Sequence, residues 1–225
     1  MISDKNAPRL LGAAFLIVIV TSLLMGVLLQ LSGIMSGSMS EILVKISNNL
    51  ALVRISILFA LITSAGIIVL AVLLYAVLHK QNKIIALVAL GWWLAEAITL
   101  AMSTIGTSAL IPLSLDFVKA GSPALSYYQT AGDFLYYGFD RQGFRLHMLF
   151  YCLGGILWYY LFYKSKYVPR FISLYGLIAA SVALLGIVYE LFGHGVSILV
   201  YLPLLPFELT IGAWLLIKGI RDGQI

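Results

Sequence analysis

Charge is scarce in this chain. Only 10% of its 225 residues are Asp, Glu, Lys or Arg, while 62% are hydrophobic. Soluble domains average about 25% charged and about 45–50% apolar residues. A chain this poor in charge cannot clothe a folded surface in polar groups, so lipid must be the solvent for most of it. Cysteine is nearly absent. Cys152 stands alone, which excludes an intramolecular disulfide, and in its apolar run it reads as a small packing residue. There are three histidines, and no Glu-x-x-His or His-x-x-x-His pair marks a local metal site. The chain also lacks a P-loop, a dinucleotide-binding glycine pattern, Gly-x-Ser-x-Gly and a zinc-protease signature. An ATP-driven pump would need a partner chain, and no cofactor can be assigned.

What charge there is has a pattern. The net charge is +5, yet no basic run with interleaved polar residues exists to hold nucleic acid. The cations sit in short connections between apolar stretches, as membrane topology demands. A hydrocarbon core needs about 20 apolar residues per helix, and six stretches qualify: Leu10–Ile34, Val53–Leu78, Ile84–Pro112, Gly143–Tyr163, Phe171–Leu191 and Ile198–Ile217. The first is too long for a signal peptide and lacks a small-residue cleavage site, so it reads as a retained helix. The expected fold is all-α, a single transmembrane domain of six spans.

One set of connections carries Lys5 and Arg9, Lys80 and Lys83, Lys164, Lys166 and Arg170, then Lys218 and Arg221. The other carries Lys45, Lys119 and Arg141 beside Glu41, Asp116, Asp133 and Asp140. The positive-inside rule places the first set, and both termini, in the cytoplasm. The longer outer connections suggest interfacial helices near 39–47, where Ser38 and Glu41 have capping-box spacing, and near 123–138, with Ser122 as N-cap and Pro123 at the first helical position. The aromatics at Tyr127, Tyr128, Phe134, Tyr136 and Tyr137 read as an interfacial belt or as a lid.

Ionisable residues inside spans cost about 2.5–3.5 kcal/mol each on insertion scales, so each needs a reason. They are Arg54, Glu96, Arg145, His147, Glu190 and Glu208, with His194 in the turn after the fifth span. In the topology above, all fall between the midplane and the outer surface. Glu96, Thr99, Ser103 and Thr107 follow i, i+3, i+7 and i+11 and form one polar stripe. Arg145 and His147, two apart, point to different faces. Gly176, Ala180 and Ala183 form a small face in the fifth span, and Gly154 and Gly155 in the fourth. Pro203 and Pro206 predict a kink just before Glu208.

Further residues carry a resemblance. They are Arg9-Leu10-Leu11-Gly12, Leu73-Leu74-Tyr75-Ala76-Val77-Leu78, His147, Tyr163-Lys164-Ser165-Lys166-Tyr167-Val168-Pro169-Arg170, and Glu208 with Trp214-Leu215-Leu216-Ile217-Lys218-Gly219. Together they resemble the bacterial membrane family labelled domain of unknown function 4386, over roughly residues 8–219. The Tyr-x-Ser-x-Tyr-x-Pro-Arg loop is the most specific piece. The resemblance implies six spans and a bacterial inner or plasma membrane, and it brings no activity. Where the family pattern has an arginine before the third-span glutamate, this chain has Gly91-Trp92-Trp93 before Glu96, which removes a charge pair local to that helix.

Three readings stay open. A small amphipathic or ionic ligand binds in, or moves through, an outward-facing cavity around Arg54, Glu96, Thr99, Ser103, Arg145, His147, Glu190 and Glu208. Alternatively, His147 or a glutamate serves as acid and base in an enzyme for lipid-like substrates. In the third, arginines neutralise the glutamates and the chain is a structural partner in a membrane complex. Protein partners are unassigned.

The orientation is testable in a Cys152→Ala background. In right-side-out vesicles, a Ser122→Cys variant should react with a membrane-impermeant maleimide, and a Gln81→Cys variant should react only after permeabilisation. The opposite pattern would invert the topology.

Overall fold

A computed structural model of the protein describes residues 7–123 and 127–220. Lys5 and Arg221 lie outside the described residues. Among the described residues the regular structure is all helical, with no strand. In order it forms α1 (Ala7–Gly26) with a π-helical turn Val27–Leu31, α2 (Met39–Asn48), α3 (Leu50–Leu78) and α4 (Lys83–Lys119). Then come α5 (Tyr127–Asp133), a π-helical stretch Phe134–Arg141, α6 (Gln142–Ser165), α7 (Arg170–Leu191), a 3-10 turn Ile198–Val200 and α8 (Leu204–Lys218). Among the described residues, six helical runs are long and apolar enough to cross a membrane: Ala7–Gln30, Leu50–Leu78, Lys83–Lys119, Tyr127–Ser165, Arg170–Leu191 and Ile198–Lys218.

Several helix ends differ from the hydropathy reading. The third apolar stretch does not stop at Pro112 but continues to Lys119. Proline removes one helical hydrogen bond at about 3 kcal/mol. Here Leu110, Ser114 and Phe117, on either side of Pro112, are all buried, and that packing holds the helix through the break. The helix ends in a Schellman turn. Ser122 N donates to Phe117 O (3.0 Å), Gly121 N donates to Val118 O (3.0 Å), and Gly121 takes the left-handed conformation at φ 82°. Ser122, itself at φ 53°, therefore closes α4 and has no extended N-cap backbone. Residues 124–126 lie outside the described residues. From Tyr127 the chain is helical without interruption to Ser165, so the aromatic segment runs directly into the fourth span. At 1.5 Å per residue, α4 is about 55 Å long and the Tyr127–Ser165 run about 58 Å, against a hydrocarbon core of about 30 Å.

The sixth stretch does not kink but breaks. Its 3-10 turn ends at Val200, and α8 starts at Leu204 with Pro203 as N-cap and Pro206 in the first turn. There the missing proline N–H removes no helical hydrogen bond.

The chain divides into two compact units, residues 1–19, 65–97 and 147–225 in one, and 20–64 and 98–146 in the other. In the second unit, α2 has the expected capping box. Ser38 Oγ accepts from Glu41 N (3.4 Å), and Glu41 Oε2 accepts from Ser38 N (3.2 Å). Its buried face, Met39, Ile42, Leu43 and Ile46, packs with Val53, Leu110, Phe117 and Tyr136 into one core. Thr63 Oγ1 donates to Thr21 Oγ1 (2.8 Å), a buried polar link between α1 and α3.

In the first unit, helices meet where glycine permits it. A Cβ on Gly12 of α1 would collide with the backbone of α8 at Gly212 O (2.7 Å) and the Leu215 carbonyl carbon (2.8 Å). On Gly176 of α7 it would strike the Phe207 ring, and on Gly154 of α6 the indole of Trp93. Without a hydrophobic drive between helices in lipid, such close approach and its dispersion contacts hold the bundle together.

Gly12→Ala should therefore destabilise the protein by about 1–3 kcal/mol, because backbone cannot move aside as a side chain can. Gly91→Ala, whose Cβ meets nothing within 4 Å, should be neutral or stabilise by up to about 1 kcal/mol. Thermal unfolding in detergent compares the two.

Candidate functional site

The first unit gathers acidic, imidazole and phenolic side chains from α4, α6 and α8. Glu96 lies on α4 and is only 3% exposed. It faces inward because its turn of α4 is wedged against α6. One turn earlier, Trp93 fills the notch left by Gly154, donates from its indole Nε1 to Tyr151 O (3.2 Å) and stacks on the Tyr151 ring at 6.1 Å and 11°. These contacts set the register of α4 on α6. They bring His147 Nδ1 to 3.8 Å from Glu96 Oε1 and to 3.4 Å from the Glu96 carbonyl.

The second half of the centre hangs on Tyr151. It lies four residues after His147 and so shares its face of α6. Its hydroxyl donates to Glu208 Oε1 at 2.7 Å and lies 3.1 Å from the Tyr159 hydroxyl. Glu208 is one turn into α8, beside Phe207, which packs edge-on against Tyr159 at 4.5 Å. Among the described residues, Glu208 has no lysine or arginine partner, and its hydrogen bond comes from a tyrosine. Glu96 and Glu208 are linked to the same face of α6, Glu96 through His147 and Glu208 through Tyr151. Cys152 is a free, buried thiol. Trp93, Tyr151, Trp158, Tyr159 and Phe207 wall this polar line with aromatic rings, all of them at most 8% exposed. No group of three metal-binding side chains occurs among the described residues.

The other sequence candidates go elsewhere. In the polar stripe of α4, Thr99, Ser103 and Thr107 belong to the second unit. There Ser103 Oγ donates back to Leu100 O (2.7 Å) and Thr107 Oγ1 donates to Asp140. Arg54 is exposed and has no acidic partner among the described residues. Arg145 also falls in the second unit, half-buried. Glu190 is half-buried at the end of α7, where its carbonyl accepts from Gly193 N (3.0 Å). His194 stacks on Tyr189 at 4.2 Å. Tyr151 and Tyr159 were not singled out by charge. Their signal was spacing, since residues 147, 151, 155 and 159 repeat every four residues along one face.

A helical protein with six runs of membrane-crossing length, and with a carboxyl–histidine and a carboxyl–tyrosine pair inside those runs, falls in the class of multi-pass membrane proteins. The sequence profile of the family described as Domain of unknown function (DUF4386) matches residues 10–219, and the chain belongs to that family. No curated protein and no solved structure matches it.

Tyr151→Phe should cost about 1–3 kcal/mol of stability, since it strips the donor from a partly buried carboxyl. Tyr159→Phe leaves the Tyr151–Glu208 bond in place and should cost less, about 0.5–1.5 kcal/mol. Comparing their unfolding midpoints in one detergent checks the order.

Proposed function

We propose that this protein binds or moves a small amphipathic or ionic ligand within the membrane, and that the ligand presents a cationic or hydrogen-bond-donating group to Glu208 and Glu96. The observation that carries this reading is Glu208, a carboxyl inside a span that has no lysine or arginine beside it. A glutamate held only for architecture is best matched by a basic side chain, because an uncompensated carboxylate in low dielectric is costly. A glutamate reserved for a ligand leaves that place open. The aromatic walls suit the apolar body of an amphipathic cation, whose charge their ring faces also attract. With the positive-inside orientation, the site lies between the midplane and the outer surface, and the ligand enters from outside.

A second reading is favoured by one contact. His147 within 3.8 Å of Glu96 Oε1 is an arrangement in which a carboxylate orients an imidazole for acid–base work. It would serve an enzyme acting on a lipid-like substrate.

The experiment uses full-length protein in nanodiscs and tetraphenylphosphonium as an amphipathic cation. Glu208→Gln should weaken binding at least about tenfold, the loss of one charged contact of about 1.4 kcal/mol, and keep the unfolding midpoint within a few degrees. Unchanged binding in both Glu208→Gln and Glu96→Gln overturns the binding reading. Hydrolysis of a lipid substrate that is lost in His147→Ala would move the weight to the enzyme.

A further inference from the structure

The connection between α6 and α7, the Tyr-x-Ser-x-Tyr-x-Pro-Arg segment, takes no part in the centre described above. Each of its residues has a definite place. Ser165 is buried, and its Oγ accepts from Tyr167 N at 3.3 Å. Tyr167, Val168 and Pro169 are turned inward, with Tyr167 3% and Val168 0% exposed, and the Tyr167 hydroxyl accepts from Gln81 Nε2 at 3.2 Å. Pro169 caps α7. Lys166 is held in the left-handed region at φ 59°, a conformation that costs energy for a residue with a Cβ and that surrounding packing must enforce. The three inward residues leave Lys166 and Arg170 at the surface on either side of them. The Arg170 guanidinium sits 5.3 Å over the Tyr163 ring, which limits its freedom.

Between these cations lies an open groove of about 530 Å³, lined by Lys166, Val168, Pro169, Arg170, Phe171 and Trp214. No acidic side chain lines it. Trp214, from α8, lines the groove with its indole. The first turn of α7 adds backbone donors. The Pro169 carbonyl accepts from Ile172 N and Ser173 N, and no side chain caps the helix, so the N–H groups of Arg170 and Phe171 are left for an external acceptor. Two cations and a helix N-terminus converge on one groove at the basic end of the spans, and both favour a multiply accepting anion.

The geometry points to this groove as a binding site for a phosphate group, in the first instance the headgroup phosphate of an anionic phospholipid. Lys166 and Arg170 supply charge, the first turn of α7 supplies N–H donors, and Val168, Pro169, Phe171 and Trp214 supply apolar surface for the adjoining glycerol and acyl chains. The site is independent of Glu96 and Glu208.

The test uses full-length protein in neutral phosphatidylcholine nanodiscs, with phosphatidylglycerol as the probe. Wild type should gain thermal stability as phosphatidylglycerol is added, since a ligand of the native state raises the midpoint. It should also retain that lipid preferentially in native mass spectrometry. Lys166→Gln with Arg170→Gln should abolish both effects. Lys80→Gln with Lys83→Gln, an equal loss of charge elsewhere on the same end, should not. Lys166→Gln alone changes an exposed position and should weaken retention about tenfold with the unfolding midpoint in neutral lipid unchanged, so the inference does not depend on how the double variant folds. Inorganic phosphate is the second arm. A stabilisation by phosphate in neutral lipid that disappears with Lys166 and Arg170 assigns the groove to a free phosphate compound, whereas an effect of the lipid alone assigns it to the headgroup. If wild type shows no preference for either probe, or if the Lys80 and Lys83 variant loses as much as the Lys166 and Arg170 variant, the inference fails.

Discussion

In hydrocarbon, apolar side chains gain nothing by leaving the solvent, so helices must be held by contact itself. In the unit that contains the candidate site, that contact is made where a glycine lets a neighbour in. Trp93 enters the space beside Gly154, Phe207 enters the space beside Gly176, and Gly12 admits the backbone of α8. Two of these intruding rings adjoin the polar centre. Trp93 is one turn from Glu96, and Phe207 is the residue before Glu208. The notches therefore do more than close the bundle. They set the rotation of α4 and α8 and aim both carboxyls at α6.

This explains which parts of the molecule could be read in advance. The helices could, because unbroken apolar runs of bilayer length have few alternatives in a chain with so little charge. Their ends could not. Pro112 and Ser122 look like punctuation in the sequence, but burial of Leu110, Ser114 and Phe117 carries α4 past the first, and a Schellman turn gives the second to the preceding helix. Hydropathy measures solvent preference along the chain and is blind to packing across it.

The candidate site divides in the same way. Glu96, His147 and Glu208 stand out because a titratable group in an apolar run is conspicuous, and the structure brings Glu96 to His147. Arg54 was equally conspicuous and is exposed. Charge announces a residue without saying what it faces. Tyr151 and Tyr159, which link the centre to Glu208, were hidden because tyrosine is common in membrane chains and its ring satisfies the apolar pattern. The residues that connect a polar network inside a membrane are amphipathic ones, and composition cannot separate them from belt aromatics.

The great length of α4 bears on the surrounding lipid. A helix of about 55 Å in a core of about 30 Å must tilt, extend beyond the lipid or draw a thicker annulus around itself, at a cost of fractions of a kcal/mol for each ångström of mismatch. Burial of Leu110, Ser114 and Phe117 around Pro112 keeps the helix continuous, so the excess length is met by tilt or by the lipid. Membranes of different thickness would therefore hold this chain at different cost.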